Sequence, residues 1–328
     1  MTQRFLVTGG AGFVGSHLVA ALLDRGDEVT VIDNLRTGHK AAVPHPARLV
    51  VTDLSDVSAL DRVLGDVHWD AVFHFAALSQ VGESMRHPMW YLLDNAANGI
   101  RLIDACVRHN VGRFVLSSTA ALFNVPGDDP IPEDANIDPQ SAYGDSKWMI
   151  ERALRWAGQV HGMRAACLRY FNAAGADPAG RLGEDHRPES HLVPLVIDAA
   201  LNRRPPLDVF GDDYATPDGT CIRDYVHVSD LASAHLLAVE ALKDGPVTWN
   251  LGNGAGHSVR QVIASVERVS GLKVPYQVMG RRAGDAAVLV ASSARAQKAG
   301  WRPQYGDLDE IVRTAFAWRE AHPQGYGG

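Results

Sequence analysis

The chain has 328 residues, 46% of them hydrophobic and 21% charged, which is enough apolar material for one large α/β unit or two domains with a sizeable core. Its formal net charge of -7 provides no basic field for a phosphate backbone, so no nucleic-acid partner is expected, although local cations can still hold one small anion. Three widely spaced cysteines (Cys106, Cys167, Cys221) without a CxxC pair, and 14 histidines without an HExxH-like spacing, predict neither disulfides nor a metal and suit a reducing compartment.

The opening MTQRFLVTGG runs straight into a strand pattern with no signal-peptide layout, and no apolar run reaches the roughly 18 residues of a membrane span; a cytoplasmic location is expected. Short β-branched or apolar runs then recur: RFLVT, EVTVID, RLVVTD, DAVFHFAA and RFVLSS. Between them, segments such as SHLVAALLDRG and NGIRLIDACVRHNVG carry apolar residues at helical spacing and close at a glycine. This rhythm predicts βαβ units and a Rossmann-type doubly wound parallel sheet. From about Asp177 the texture changes, with Pro, Gly and charges interrupting the periodic segments, as in DPAGRLGEDHRPES and RRPPLDVFGDDYATPDG. A second, smaller, loop-rich α/β domain carrying substrate contacts is expected there. The helical VSDLASAHLLAVEALK lies between that region and the last portion, so the boundary is expected to interleave. The nucleotide-binding domain is placed at 1–172 plus about 222–248, and the substrate domain at 173–221 and 249–328.

TGGAGFVGSHL follows the first strand and opens the first helix. Its glycines satisfy GxGxxG through Gly10, Gly12 and Gly15, and GxxGxxG through Gly9, Gly12 and Gly15. Missing side chains there let backbone amides and a helix N-terminus approach a pyrophosphate. A tight turn that binds nothing has the same signature, so a second feature is needed. EVTVID ends in Asp33, about 20 residues beyond the glycines, where a carboxylate accepts hydrogen bonds from an adenosine ribose and repels a 2'-phosphate. NAD is therefore expected rather than NADP. Asp53 in VVTDLSD either addresses the adenine or caps the following helix.

In PQSAYGDSKWMIE, Tyr143 and Lys147 stand at i, i+4 at the start of a predicted helix, just after the fifth strand ends in SSTAALF. Such pairs are common on surfaces; here the pair falls on the side of the sheet where ligands bind. Bringing a phenol from pKa 10 to about 7 takes about 4 kcal/mol, and one cation about 4 Å away at an effective dielectric of about 20 supplies that much. Lys147 is thus expected to make Tyr143 a usable base when a cofactor lies alongside.

TGGAGFVGSH, Asp33-Asn34-Leu35, FHFAA, SST and YGDSK together resemble the extended short-chain dehydrogenase/reductase family. The later segments LRYFNAAGAD, GRLGED, VFGDDYATPDGTCIRDYVHVSDLASAH, NLGNGAGHSV and RRAGD are similar to its UDP-glucose 4-epimerase group, across essentially the whole chain. The resemblance implies that Tyr143 takes the proton of the sugar 4-hydroxyl while hydride passes from C4 to bound NAD. Lys147 would hold the nicotinamide ribose, and Thr119 would complete the proton path. The 4-keto sugar would then turn about its diphosphate link and recover hydride on its other face. Cofactor contacts are implied at Gly9, Gly12, Phe13, Val14 and Gly15 of the turn and at Asp33, Asn34, Asp53 and Leu54 beyond it. Phe75, Ala76, Ala77, Ser79, Asn95 and Ser117 match further cofactor positions, as do Tyr170 and Phe171 beside the nicotinamide; for most of these a purely structural place in the sheet fits equally well.

On the substrate side the resemblance implies Asn172, Arg223 and Arg282 around the diphosphate, Phe210 at the uracil, Asp285 at the uridine ribose, and His191 and Leu192 near the UDP. Each arginine reads alternatively as a surface ion pair, Arg223 with Asp224. A homodimer is implied, with PMWYLL and KWMIERALRWA as its seam or else packed on the sheet.

The chain also departs from the group. SSTAALFN stands for the common SSSATVYG, so Ala121, Phe123 and Asn124 remove a hydroxyl, a phenol and a glycine. Ser79 stands where many members have Lys, His191 where Asn is usual, and Cys221 where Gly is usual. Leu289, at the position tied to N-acetyl-sugar acceptance, is intermediate in size, which leaves UDP-N-acetylhexosamines and UDP-pentoses open as substrates; a 4-epimerase of another UDP-sugar, such as a pentose or hexuronate, is the alternative reading. A 4,6-dehydratase would place Asp and Glu after Thr119, where this chain has Ala120 and Ala121; a silent sugar-nucleotide-binding protein would have lost the Tyr or the Lys.

Overall fold

The computed structural model describes residues 2–124, 129–282 and 286–327. The first half alternates strand and helix: β1 (Arg4–Thr8), α1 (Phe13–Asp24), β2 (Glu28–Asp33), β3 (Arg48–Val51), α2 (Val57–Gly65) and β4 (Ala71–His74). Then come the short α3 (Val81–Arg86) and α4 (Pro88–Tyr91), a π turn (Leu92–Ala97), α5 (Asn98–Arg108), β5 (Arg113–Thr119), α6 (Ala142–His161) and β6 (Arg164–Tyr170). Next follow β7 (Asn172–Ala174), α7 (Leu192–Ala200), β8 (Leu207–Phe210), β9 (Ile222–His227), α8 (Val228–Ala241) and β10 (Val247–Leu251). The chain closes with β11 (Gly256–Ser258), α9 (Val259–Ser270), β12 (Tyr276–Met279), β13 (Val288–Leu289), α10 (Ala294–Lys298) and α11 (Leu308–Ala321).

The predicted strands assemble into one seven-stranded sheet in the order β10-β6-β5-β4-β1-β2-β3, with every pairing parallel. Strands β1, β2 and β5 are buried almost end to end, as strands covered on both faces must be. One apolar cluster joins the sheet to Leu18 and Leu22 of α1, Leu231 and Ala238 of α8, and Trp301. Another joins it to Leu60 of α2, Leu102 of α5, and Ile150 and Leu154 of α6. The fold is thus the expected doubly wound α/β sheet.

The later segments build a separate core from Val196, Ile197, Val262, Val266, Ile311 and Val312, on α7, α9 and α11. Beside it lie a small sheet centred on β9, which pairs with β7, β11 and β13, and the parallel pair β8–β12. Of the stretch 222–248, α8 packs against α1 and β10 extends the main sheet from about 247 onward, whereas β9 sits in the small sheet. The chain therefore crosses between the two layers at the β9–α8 junction, where β9 ends at His227 and α8 begins at Val228.

Candidate active site

The glycine turn, Asp33, the segment after β4 and Thr119 follow or end their strands at the carboxyl side of the parallel sheet, where such sheets bind ligands. Thr8 ends β1 beside His74 at the end of β4, and His74 pairs with Leu116, so β5 runs on and carries Ser117, Ser118 and Thr119 past its neighbour. Thr8 O accepts hydrogen bonds from the amides of Phe75 (2.8 Å) and Ala76 (3.1 Å), which locks the segment after β4 onto the glycine turn. Gly9 has φ +74, and a Cβ there would lie 2.4 Å from Ala76 N, so only glycine permits this approach.

The turn fits a dinucleotide pyrophosphate by its own construction. Gly12 is the N-cap of α1 and no side chain caps the helix, whose first turn carries no acidic residue. A Cβ on Gly12 would meet only Gly9 O, at 3.3 Å, so the space above it is open. Uncapped amides at a helix N-terminus attract an anion. Phe13 and Gly15 are buried in that first turn, with Val14 partly buried between them.

Asp33 is buried at the end of β2, its Oδ2 accepting from Ala11 N (3.0 Å) and its Oδ1 from Leu35 N (2.8 Å). Burial raises its pKa against these two bonds. The carboxylate is therefore fixed beside the turn, with lone pairs remaining for ligand hydroxyls. Leu35 adopts φ 57, a left-handed backbone that costs an ordinary residue about 1–2 kcal/mol and that clusters at ligand sites. Asn34 Nδ2 donates to Asp53 Oδ2 (2.7 Å), and Ser55 N donates to Asp53 Oδ1 (2.9 Å). Burial opposes ionisation of Asp53, but these bonds and the nearby Arg36 hold its pKa below the usual range. The cap of α2 is Asp56, which accepts from Ala59 N (2.9 Å), so Asp53 does not cap that helix. Leu54, next to it, is a buried core residue.

Tyr143 and Lys147 lie in the first two turns of α6, capped by Ser141 Oγ, which accepts from Gly144 N (3.1 Å). Gly144 lets α6 approach the end of β5: a Cβ there would lie 2.2 Å from Ala121 O. Lys147 is almost wholly buried, its Nζ donating to Ser117 O (2.8 Å), and burial lowers its pKa to about 8. Ser117 Oγ is bonded to the hydroxyl of Tyr170 at the end of β6. Burial raises the Tyr143 phenol above its ordinary value, and a hydrogen bond with Thr119 pulls the other way. In the protein alone the phenol is thus raised, whereas the depression expected from Lys147 is tied to a cofactor lying alongside. Burying a phenolate is costly, and Lys147 points its Nζ at the strand carbonyl.

Asn95 lies in the π turn and spends its amide on the protein, accepting from Leu78 N (2.8 Å) and donating to Leu78 O (2.9 Å) and Ser146 Oγ (3.1 Å). It ties the segment after β4, with Ala77 and exposed Ser79, to the helix of the base. Sequence reading did not find Thr8 and buried His74, whose Oγ1 and Nδ1 are 2.7 Å apart under the same strand ends, because nothing local marks that contact.

On the other side, Phe171 N bonds Leu251 O (3.4 Å) and Asn172 opens β7 opposite Tyr225 of β9. Arg223 of β9 donates to Ile222 O (2.8 Å) and Ala286 O (2.9 Å). Asp224, its suggested ion-pair partner, instead receives Asn253 N, Gly254 N and Ala291 N. The Arg282 guanidinium stacks 3.8 Å from the centroid of the Phe210 ring at the end of β8, bringing these two predicted residues together. His191 stands at the N-cap position of α7, before Leu192, without a side-chain capping bond, its ring bonded instead to Glu184; burial opposes its charged form, but that carboxylate outweighs it and raises the pKa. Leu289 pairs in β13 with Arg223. Asp285 lies outside the described residues.

Residues 5–252 match the model of the NAD dependent epimerase/dehydratase family. The chain is 47% identical over 327 residues to a UDP-glucose 4-epimerase of Halalkalibacterium halodurans, covering 99% of this chain and 98% of that protein. It is 48% identical to that of Azospirillum brasilense over 329 residues, with 99% and 94% covered. Among solved structures, one crystal structure of a UDP-glucose 4-epimerase superimposes with TM-score 0.96 at 44% identity, covering 99% of this chain and 100% of that one. Another, from Brucella ovis in complex with NAD, gives 0.93 at 44% identity, with 96% and 98% covered.

Proposed function

The chain belongs to the NAD dependent epimerase/dehydratase family, and from that premise we propose that it interconverts UDP-glucose and UDP-galactose as an NAD-dependent 4-epimerase. The observation that carries this reading is the meeting of Tyr143, Thr119 and buried Lys147 at the strand ends beside the open glycine turn. NAD, when bound, supplies the hydride acceptor at the sugar carbon and a positive charge that stabilises a neighbouring phenolate.

In this reading the amides of the α1 N-terminus hold the pyrophosphate and Asp33 holds the adenosine ribose. Asn34 and Asp53, joined to each other, border the adenine. Lys147, anchored on Ser117 O, donates to the nicotinamide ribose, and Tyr170 and Phe171 flank the ring. Phe75, Ala76 and Ala77 wall the cofactor, while Asn95 positions Leu78 and α6. Tyr143 takes the proton from the sugar 4-hydroxyl and later returns it, with Thr119 as its hydrogen-bond partner. Asn172, Arg223, Arg282, Phe210, His191 and Leu192 grip the UDP, leaving the hexose free to turn over.

Asp33→Ala is expected to weaken NAD binding about 10- to 100-fold, the worth of charge-assisted hydrogen bonds. Titration of the stripped protein with NAD checks this, and unchanged affinity removes the assignment. Incubating the purified protein with UDP-glucose, UDP-galactose and a panel of other UDP-sugars, without added cofactor, tests the activity and its range; no product from either hexose would refute the reading.

The same reading places the enzyme in the cytoplasm as a homodimer; among the described residues no helix is long and apolar enough to cross a membrane. Support for self-association comes from α4, the π turn and α6, which pack on one another and leave Met89, Trp90, Leu93, Trp156 and Val160 exposed. Sedimentation equilibrium is expected to give twice the chain mass, and Trp156→Glu to shift it toward the monomer.

A further inference from the structure

Glu184, His186, Glu189 and His191 lie on the loop leading from β7 into α7, and one ligand atom from each falls within 4.8 Å of all the others. His186 Nδ1 lies 3.1 Å from Glu184 Oε1 and 3.6 Å from Glu189 Oε1, and His191 Nδ1 contacts Glu184 Oε1. A tetrahedral cation with donors about 2.0–2.2 Å away needs donor–donor edges of about 3.3–3.6 Å, which the two His186 distances approach, whereas His191 and Glu184 stand closer together and the set spans up to 4.8 Å.

The cluster is not closed on itself. Glu189 Oε1 accepts from Ser190 N (2.7 Å) and His191 N (3.0 Å), but Oε2 of the same side chain, 8% exposed, is buried without a hydrogen-bond partner. His186 Nδ1 is likewise buried and makes no hydrogen bond of good geometry, its partners being the ion-pair contacts to Glu184 and Glu189. Leaving the buried Glu189 oxygen unsatisfied is costly, and a cation beside it removes the cost.

We propose that Glu184, His186, Glu189 and His191 form a binding site for one divalent transition-metal cation of the Zn2+ or Co2+ class. Two imidazoles with two carboxylates suit borderline cations, whereas Mg2+ and Ca2+ take all-oxygen shells. The two carboxylates also balance the charge of the ion. The site would hold the loop in one shape where it packs on the nucleotide turn: the His186 ring stands edge-on to Phe13, with centroids 6.4 Å apart, and His191 begins α7. Such a role explains four donors within eight residues and, through His191, read above as a UDP contact, would tie the loop to the substrate side without placing the ion on the reacting atoms.

The full chain, stripped with chelator and dialysed, is titrated with CoCl2 and followed by visible absorption and thermal melting. One equivalent is expected to bind with the intense visible band of a four-coordinate site, to raise the melting temperature by linkage, and to be displaced by ZnCl2 but not MgCl2. His186→Ala and the nearly isosteric Glu189→Gln are each expected to weaken Co2+ binding at least tenfold, with circular dichroism of the metal-free proteins verifying their fold. Absence of saturable binding, or an affinity in both variants equal to the parent's, would overturn the site and leave a set of imidazolium–carboxylate ion pairs.

Discussion

Tyr143→Phe is expected to lower turnover of UDP-glucose by about 10²- to 10⁴-fold, the range for removing a general base, which corresponds to about 2.7–5.5 kcal/mol of barrier. The variant keeps the ring that fills the site and loses only the hydroxyl joined to Thr119, so NAD binding and fold are expected to persist. Measuring both kcat and NAD affinity separates a lost base from a damaged site. A rate within a few-fold of the parent would move the base elsewhere.

Lys147→Met sharpens this test through pH. A cation near the phenol favours phenolate, so its removal raises the phenol pKa and moves the acid limb of the kcat profile to higher pH. Burial already raises that pKa in the protein alone, and Lys147 is buried at the base of the site. An unshifted limb in the Met variant would mean that the phenol is tuned without the ammonium.

Arg169→Ala is expected to have the largest effect on stability, about 3–5 kcal/mol, because it strands a buried carboxylate. Arg169 of β6 makes a two-pronged ion pair with Glu151 of α6 at 2.9 and 2.6 Å, with both side chains about 5% exposed. Glu151 Oε1 also accepts from Ser118 Oγ (2.6 Å), and Arg169 donates to Glu133 O (3.0 Å). The network holds α6 against β5 and β6, and so sets where Tyr143 stands above Thr119. Chemical denaturation should show a lower midpoint. The double variant Glu151→Leu with Arg169→Met is expected to recover much of the loss, since a buried pair is often replaceable by apolar side chains while half of one is not. A single variant as stable as the parent would show that water reaches the carboxylate.

Features carried by neighbouring residues were legible in the sequence. The strands from RFLVT to RFVLSS, the glycine spacing before α1 and the i, i+4 placing of Tyr143 and Lys147 are periodicities of a strand, a turn and a helix, and those periods are properties of the local chain. The parallel order followed because alternating strands and helices have few ways to cover both faces of a sheet.

Other features depend on atoms far away in the chain. Lys147 finds its acceptor at Ser117, Asn95 is consumed by Leu78 and Ser146, and β9 joins the small sheet with β7, β11 and β13. Asp56, immediately before Val57, caps α2, while Asp53 accepts from Asn34 across the sheet. The direction of the Tyr143 shift belongs here too, since desolvation is set by whatever the whole fold packs around a group. Residue spacing thus determined the kind of chemistry available to this chain, and tertiary packing alone decided the surroundings of each group, because burial and long-range partners arise only when distant segments meet.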